Sequence, residues 1–305
     1  MNIRSVGLTR ANLPLCEPLW ADRSTYEAGE FRLLMASAAQ LLDARRALGA
    51  IVFEGDVARA FGLSTYVAEP FVENYLVSPH PQIGRRLLQE PGSTAILHRA
   101  DVARRNRERG SELVVLNTAY DAGAADPGGV VGELIAAFQR LHRGYRIARI
   151  TNEVFGDAAI QVVISSASYQ VRQVFEVPYS NGRLRSMLAT LTRAQAVAWS
   201  TPLLSMFLYN PPAIVFTGAQ RDLLEAALSG LTDSQLGDRL GVTLTTIKAR
   251  WTRIYDRAFR RVPHLFAAVP GRDVGPARGA QIRHLILQYV RDNPEELTPY
   301  SPVDK

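Results

Sequence analysis

Hydrophobic and polar positions follow two different patterns along the chain, and the change between them divides it. Residues 27–48 carry apolar positions at helical spacing, whereas 112–120 is a β-branched run typical of a strand. Pro211 and Pro212 can continue neither a central strand nor a helix, so we place a domain boundary there. The sequence predicts one domain over 1–210, a helical domain over 214–262, and a C-terminal extension with one helix over 263–305.

The N-terminal part mixes both patterns. Helices surround an early strand and several alternating segments follow, an order that favours an α+β domain with a mainly antiparallel sheet. The predicted helices are 27–48, 56–63, 81–90, 99–110, 129–144 and 192–199. The predicted strands are 49–55, 112–120, 145–154, 158–166, 169–179, 183–191 and 203–209.

The C-terminal part reads as short helices with local start and stop signals. Thr217 and Thr232 each precede a Gln by three residues, the spacing of a capping box. Gly241 and Val242 form a tight turn before a last helix that starts at Thr243 or Thr245. Two helices joined this way predict a helix-turn-helix, whose second helix enters the major groove of DNA.

The stretch "FTGAQRDLLEAALSGLTDSQLGDRLGVTLTTIKARWTRIYDRA" resembles the LuxR-type (GerE-type) DNA-binding domain over its whole length. Its ordered matches include Leu240 to Thr243, Thr246 to Lys248 and Ile254-Tyr255. It departs from the family where Gln220 replaces a usual Glu and Gly237 a frequent Ala. The resemblance implies an all-α helix-turn-helix domain that binds double-stranded DNA.

The resemblance also implies which residues face DNA. Thr246 and Lys248 are expected at phosphates, and Arg250 near base edges, where Arg can bridge a guanine. The chain has 35 Lys plus Arg and a net charge of +6, but Lys occurs only at positions 248 and 305. The complete set of expected DNA-binding residues is Thr243, Thr245, Thr246, Lys248, Ala249, Arg250, Arg253 and Arg257.

Other chemistry is sparse in the sequence. Cys16 is the one cysteine, which excludes an intramolecular disulfide and a Cys-based zinc cluster. The stretch 126–132, "DPGGVVG", lacks the spacing of a phosphate-binding loop. The His residues are scattered, so we expect no metal and no cofactor. The N-terminus lacks the pattern of a signal peptide and no apolar run reaches membrane length, so we expect a soluble, cytoplasmic protein without a membrane partner.

For the N-terminal domain, the resemblance to LuxR-type regulators implies a sensor-like domain for effector binding and dimerisation. The residues that would bind a ligand are not identified. Seven aromatic side chains could line an apolar pocket, although core packing is the simpler interpretation. They are Tyr75, Tyr120, Phe138, Tyr145, Tyr169, Phe175 and Trp199.

We therefore expect a sequence-specific DNA-binding transcriptional regulator, controlled by a small-molecule effector. We expect it to be a homodimer and not an enzyme. Two alternatives stay open at this point. One is an enzyme with a DNA-binding regulatory appendage, and the other is a sigma-factor-like transcription protein, because sigma factors carry a related helix-turn-helix.

Overall fold

The computed structural model describes residues 2–165, 169–179, 182–267 and 276–300. Its contacts divide the chain into two compact units. The N-terminal unit comprises Met1–His142 and Arg146–Tyr209, and the C-terminal unit comprises Arg143–Tyr145 and Asn210–Lys305. Among the helices of the described residues, none combines the length and the apolar character needed to cross a membrane.

The N-terminal unit is built on one sheet of seven strands, flanked by helices, with the strand order β1-β2-β3-β4-β5-β7-β6. The strands are β1 (Ile3–Gly7), β2 (Ala47–Glu54), β3 (Val57–Val67), β4 (Ser111–Tyr120), β5 (Ile147–Phe155), β6 (Gln170–Tyr179) and β7 (Gly182–Thr192). The helices are α1 (Ala28–Asp43), α2 (Glu69–Val77), α3 (Ile83–Gln89), α4 (Arg99–Arg107), α5 (Pro127–His142), α6 (Asp157–Ser165) and α7 (Arg193–Ala198).

The sheet is mixed, and this corrects the expected fold class of a sensor-like domain with a mainly antiparallel sheet. Strands β4 and β5 run parallel, because α5 carries the chain back across the sheet between them. Strand β7 then lies between β5 and β6, so consecutive order along the chain does not give the order in the sheet. Alternating hydrophobicity identifies a strand but gives neither its partner nor its direction.

Three predicted elements have a different structure. The predicted helix 56–63 lies in β3, which turns back from β2 at Gly55 in the left-handed region (φ 62°). The predicted strand 158–166 falls largely on α6, which begins after Gly156 (φ 85°). The predicted strand 203–209 is mainly a 3-10 helix, Pro202–Phe207, with Pro at its first position. In the first case, pairing with both neighbouring strands outweighs local helical spacing.

A buried carboxylate on β5 anchors α3 to the sheet. Glu153 accepts hydrogen bonds from the backbone N–H groups of Gln82 and Ile83, each at 2.8 Å, and from the Ser186 hydroxyl at 2.7 Å. Gln82 holds the left-handed region (φ 67°) just before α3. Burial raises the pKa of Glu153, and its three donors counteract this. The contact ties together segments distant in sequence, so it fixes where α3 meets the sheet.

A second polar network is centred on Asp22, which is also buried. Its carboxylate accepts hydrogen bonds from the Tyr26 hydroxyl, from Gln82 Nε2 at 3.1 Å and from Asn117 Nδ2 at 3.0 Å. Burial raises the pKa of Asp22, whereas these donors lower it. The network joins the segment before α1 to β4, and each carboxylate oxygen has a donor.

The C-terminal unit is helical in its described residues. Thr217 and Thr232 each accept from the N–H of a Gln three residues on, and each Gln side chain bonds back to the Thr N–H, so both predicted capping boxes are confirmed. Gly241 has φ 63°, the left-handed geometry that ends a helix. The helices are α8 (Gly218–Leu228), α9 (Asp233–Leu240), α10 (Leu244–Arg261) and α11 (Pro276–Asp292).

The C-terminal extension shares the core of this unit. Ile282, Ile286 and Val290 of α11 are buried in the same cluster as the apolar face of α10. Trp251 belongs to that apolar face of α10, and its Nε1 donates a hydrogen bond to Asp233 at 3.3 Å. The described part of the extension therefore belongs to one folded unit with the three preceding helices.

Candidate functional site: a cavity where two parallel strands separate

Strands β4 and β5 are paired with each other over only the first part of their length. Their pairing runs from Ser111 and Ile147 to Val115 and Asn152 and ends there. Each strand nevertheless continues, β4 beside β3 and β5 beside β7. Beyond Val115 and Asn152, the facing edges of the two strands therefore have no ladder partner in the described part of the chain. Such free edges can accept hydrogen bonds from, and donate them to, an extended ligand.

A β-bulge in β4 lies where the strands separate. Leu63 pairs with Asn117 and Ser64 with Val115, so Leu116 is the extra residue. The Leu116 carbonyl packs against Gly84 of α3, where an added Cβ would lie 1.9 Å from its oxygen. Only glycine permits this approach, and it keeps α3 close to the bulge. Bulges of this kind redirect a strand, here away from its neighbour.

The separation opens a cavity of about 590 Å³ within the N-terminal unit. This size suits a small organic ligand. Its walls are mainly apolar and come from the separated strands, from α5 and α6, and from the segment before α1. Prominent lining residues are Leu19, Trp20, Val131, Leu134, Phe138, Val154, Val162 and Leu203.

Two polar groups in the cavity wall are buried without a hydrogen-bond partner among the described residues. Asn152 is 6% exposed and its Oδ1 is an unpartnered acceptor. Trp20 is 4% exposed and its Nε1 is an unpartnered donor. An unpaired buried polar group costs about 1–3 kcal/mol. Both residues line the cavity, and a rotation of each side chain would be needed to present these two atoms to a ligand with one donor and one acceptor, such as a secondary amide.

Tyr169 lines the same cavity and is hydrogen-bonded to the Asn152 side chain. Burial raises the pKa of the Tyr169 hydroxyl, so it keeps its proton at neutral pH. It can therefore donate a hydrogen bond to a ligand. The buried carboxylates Glu153 and Asp22 follow cavity-lining residues in sequence but do not line the cavity.

The loop from β4 to α5 forms one border of the cavity, and four backbone N–H groups of the loop and of the first turn of α5 bind carboxylates of the chain itself. Glu54 accepts from Ala125 at 3.1 Å and Asp126 at 3.0 Å. The Asp126 carboxylate accepts in turn from Gly129 at 2.9 Å, on the first turn of α5. The Asp121 carboxylate likewise accepts a hydrogen bond from the backbone N–H of Gly123 at 2.8 Å.

The residues expected to contact DNA lie on or just before α10, in the C-terminal unit. Thr243 caps the helix by accepting from the Thr246 N–H at 3.2 Å. Arg250 is half-buried and Arg257 donates to the Val215 carbonyl at 2.6 Å, so Arg257 also supports the fold of its own unit. The members of the set that are exposed are Thr243, Thr245, Lys248, Ala249 and Arg253.

The sequence left the ligand-binding residues unassigned, and the structure shows why. Asn152 and Trp20 belong to no motif, and long-range strand pairing brings them to one cavity. Three of the seven aromatic residues considered from the sequence, Tyr120, Phe138 and Tyr169, do line it. The signal that could have identified this region is the Gly-rich loop after β4, which marks a turn before a helix.

Comparisons with known proteins were informative only for structure. No protein-family model matches the chain, and no curated protein matches its sequence. Among solved structures, the ribosomal-protein-S18-alanine N-acetyltransferase of Escherichia coli matches with 15% identity and a TM-score of 0.36, over 63% of this chain and 94% of that one. The polyamine N-acetyltransferase of Drosophila melanogaster matches with 11% identity and a TM-score of 0.38, over 63% and 100%.

A third similar structure is NAA60 of Arabidopsis thaliana in complex with acetyl-CoA, with 11% identity and a TM-score of 0.41, over 63% of this chain and 98% of that one. These neighbours and the mixed sheet contradict the expectation of a sensor domain in a transcriptional regulator that is not an enzyme. The associated description as a LuxR-family regulator with a ligand-binding sensor domain is corrected with it. The N-terminal unit is instead built on one mixed sheet of seven strands.

Proposed function

We propose that the N-terminal unit is an acyltransferase-type enzyme that binds its acyl donor where β4 and β5 separate. The observation that supports this most is the apolar cavity between two strand edges, with Asn152 and Trp20 in its wall; within the described ranges, neither the edges nor Asn152 Oδ1 and Trp20 Nε1 have a hydrogen-bond partner. The apolar surface suits an acyl chain, and the polar pair suits an amide beside it. Proteins with this type of sheet include N-acetyltransferases, and an amine is the acceptor we propose here.

Acetyl-CoA is the donor that this comparison raises, since one similar structure contains it. The apolar wall, Asn152 and Trp20 fit the acyl and amide-containing part of such a molecule. The loop before α5 fits the diphosphate poorly, because four N–H groups of the loop and of the first turn of α5 already bind Glu54, Asp121 and Asp126. The cavity therefore fits part of acetyl-CoA and not the whole.

Binding of acetyl-pantetheine to the full chain, measured by calorimetry, tests the proposed cavity. Gly62 lines the cavity, and a Cβ there makes only ordinary contacts of 3.7 Å. Gly62→Leu should fill the cavity and weaken binding by roughly tenfold or more. Val57→Leu, at an exposed position on the same strand, is the matched control and should bind like the wild type. Equal affinity of all three proteins would exclude this cavity as the site.

Transfer itself is tested by release of free thiol from acetyl-pantetheine in the presence of primary amines. The protein adds little background, because Cys16 is buried and burial raises its pKa to about 12. Tyr169→Phe removes a proton donor and should lower the rate more than the donor affinity. A wild-type protein that binds no donor and releases no thiol with any amine would overturn the proposed function.

We also propose double-stranded DNA as a partner of the C-terminal unit. The supporting observation is the arrangement of α9 and α10 around Gly241, with Lys248 and Arg253 exposed on the helix whose other face is buried. Arg250→Ala should weaken binding to a DNA duplex obtained by in vitro selection by ~1–3 kcal/mol, and affinity should fall steeply with salt. Arg260→Ala, exposed near the end of the same helix, is the control. Binding to that duplex unchanged by Arg250→Ala would refute this contact.

A further inference from the structure

We propose that the acyl donor of this cavity is a thioester of pantetheine without a nucleotide diphosphate. The inference rests on the proposed function and specifies its substrate class. It concerns the loop from β4 to α5, where the chain's own carboxylates take the place that an anionic ligand would need.

A phosphate binds at a helix N-terminus because N–H groups there lack partners and point outward. In this loop the N–H groups of Ala125 and Asp126 bind Glu54, and that of Gly129 binds Asp126. A phosphate would have to break these bonds before forming its own. Val131 and Leu134 of the same helix line the cavity, so its N-terminus borders a ligand bound there. The first turn of α6 also lines the cavity, but it carries the carboxylate of Asp157, which an anion would meet as well.

The space above the first turn of α5 is also filled. A Cβ added to Gly129 would lie 2.3 Å from Asp126 Oδ2, so the carboxylate packs directly against the glycine backbone. A glycine at such a place allows a ligand to approach the main chain closely. Here the group that makes this approach is Asp126 itself.

The charges near the loop disfavour the binding of an anionic ligand, because the loop already contacts carboxylates of the chain. Glu54, Asp121 and Asp126 provide three carboxylates. Arg59 pairs with two of them, Glu54 at 3.4 Å and Asp121. The N-terminal unit contains no Lys, because Lys occurs only at positions 248 and 305. A diphosphate here would meet an excess of negative charge at short range, which is unfavourable.

The experiment compares three donors on the full chain by calorimetry: acetyl-pantetheine, acetyl-4′-phosphopantetheine and acetyl-CoA. We expect acetyl-pantetheine to bind at least as tightly as acetyl-CoA. Acetyl-4′-phosphopantetheine carries one phosphate and no nucleotide, so its affinity separates the effect of charge from that of the nucleotide. A working diphosphate site would instead make acetyl-CoA bind roughly a hundredfold more tightly, through two or more charge-assisted hydrogen bonds.

Asp126→Asn tests the role of the carboxylate, because Asn caps helices as well as Asp does but carries no charge. We expect acetyl-CoA to bind roughly tenfold more tightly to this variant, with the affinity for acetyl-pantetheine unchanged. Asp101→Asn is the matched control, since Asp101 is also in the first turn of a helix and pairs with Arg104. It should change neither affinity.

The outcomes separate the two proposals. If acetyl-CoA binds the wild type more tightly than acetyl-pantetheine, the present inference is wrong and the proposed function stands. If no donor binds, the proposed function fails and the inference fails with it. If Asp126→Asn leaves the ratio of the two affinities unchanged, the carboxylate does not select the donor and the inference is overturned.

Discussion

Each of the two units of this chain is stabilised internally by hydrogen bonds, but the sequence separation of the bonded residues differs greatly between the units. In the C-terminal unit, Thr232 and Gln235 start α9 through hydrogen bonds between residues three positions apart. In the N-terminal unit, Glu153 fixes α3 through the N–H of Gln82, 71 positions away in sequence. Local signals can be identified in a sequence, whereas a contact of the second kind exists only after the sheet has formed. This difference predicts how each unit responds to substitution.

The largest effect is expected for Glu153→Ala. Removing the carboxylate leaves the N–H groups of Gln82 and Ile83 and the hydroxyl of Ser186 without an acceptor in a buried place. The free energy of unfolding should fall by roughly 3 kcal/mol or more. Urea unfolding of the full chain measures it, with Glu176→Ala, exposed on β6 of the same sheet, as the control. Equal stability of the two variants would show that this distant contact does not hold the sheet.

A smaller effect is expected from pH, through His142 at the end of α5. It is buried and hydrogen-bonded to Ser64 at 2.9 Å and Tyr66 at 2.7 Å. Burial lowers the pKa of His142 to about 3, below the ~6.5 of an unfolded chain. Between these values the unfolded state binds a proton that the folded state does not, so stability falls as pH falls.

For the wild type this His142 contribution amounts to about 2 kcal/mol lost between about pH 7 and 5. In the His142→Gln variant residue 142 cannot titrate. The free energy of unfolding of this variant should therefore fall less than that of the wild type over the same pH range, and the difference should equal the His142 contribution. Urea unfolding at both pH values, on both proteins, gives the comparison. Parallel loss of stability in the two proteins would assign the acid sensitivity to other groups.

The smallest effect is expected in the C-terminal unit, for Thr232→Ala. The substitution removes one capping box and should lower the free energy of unfolding by about 1 kcal/mol, because only a local hydrogen bond is lost. Thr252→Ala, exposed in the middle of α10, is the control and should be neutral or slightly stabilising. Thermal unfolding checks both. A loss as large as that of Glu153→Ala would remove the contrast between the units.

The same contrast explains which parts of the fold could be predicted. The capping boxes, the turn at Gly241 and the apolar face of α10 follow from residue types at short spacing, and the structure has all three. The strands β4, β5 and β6 were found from β-branched and alternating patterns. The parallel direction of β4 and β5 was not, because it depends on α5 crossing the sheet. Local spacing also failed at 56–63, where two neighbouring strands decide the conformation.

The candidate site was less predictable than the fold. Asn152 and Trp20 look like ordinary residues of a strand and a loop. They are distinguished only by their shared cavity and by Asn152 Oδ1 and Trp20 Nε1, which have no partner in the part of the chain that the structure describes. The absence of phosphate-loop spacing in 126–132 was evident in the sequence. That Glu54, on a different strand, binds the same loop could not be seen there, because β2 reaches it only in the folded sheet.

The scarcity of lysine makes α10 accessible to selective labelling. Lys248 is exposed on this helix, and the other ε-amino group of the chain belongs to Lys305. In Lys305→Arg, an amine-reactive dye applied above neutral pH would find one ε-amine, together with the chain's α-amino group. A fluorophore placed there would report directly on the surroundings of α10. It would replace the charge of one expected phosphate contact and leave the arginines beside it unaltered.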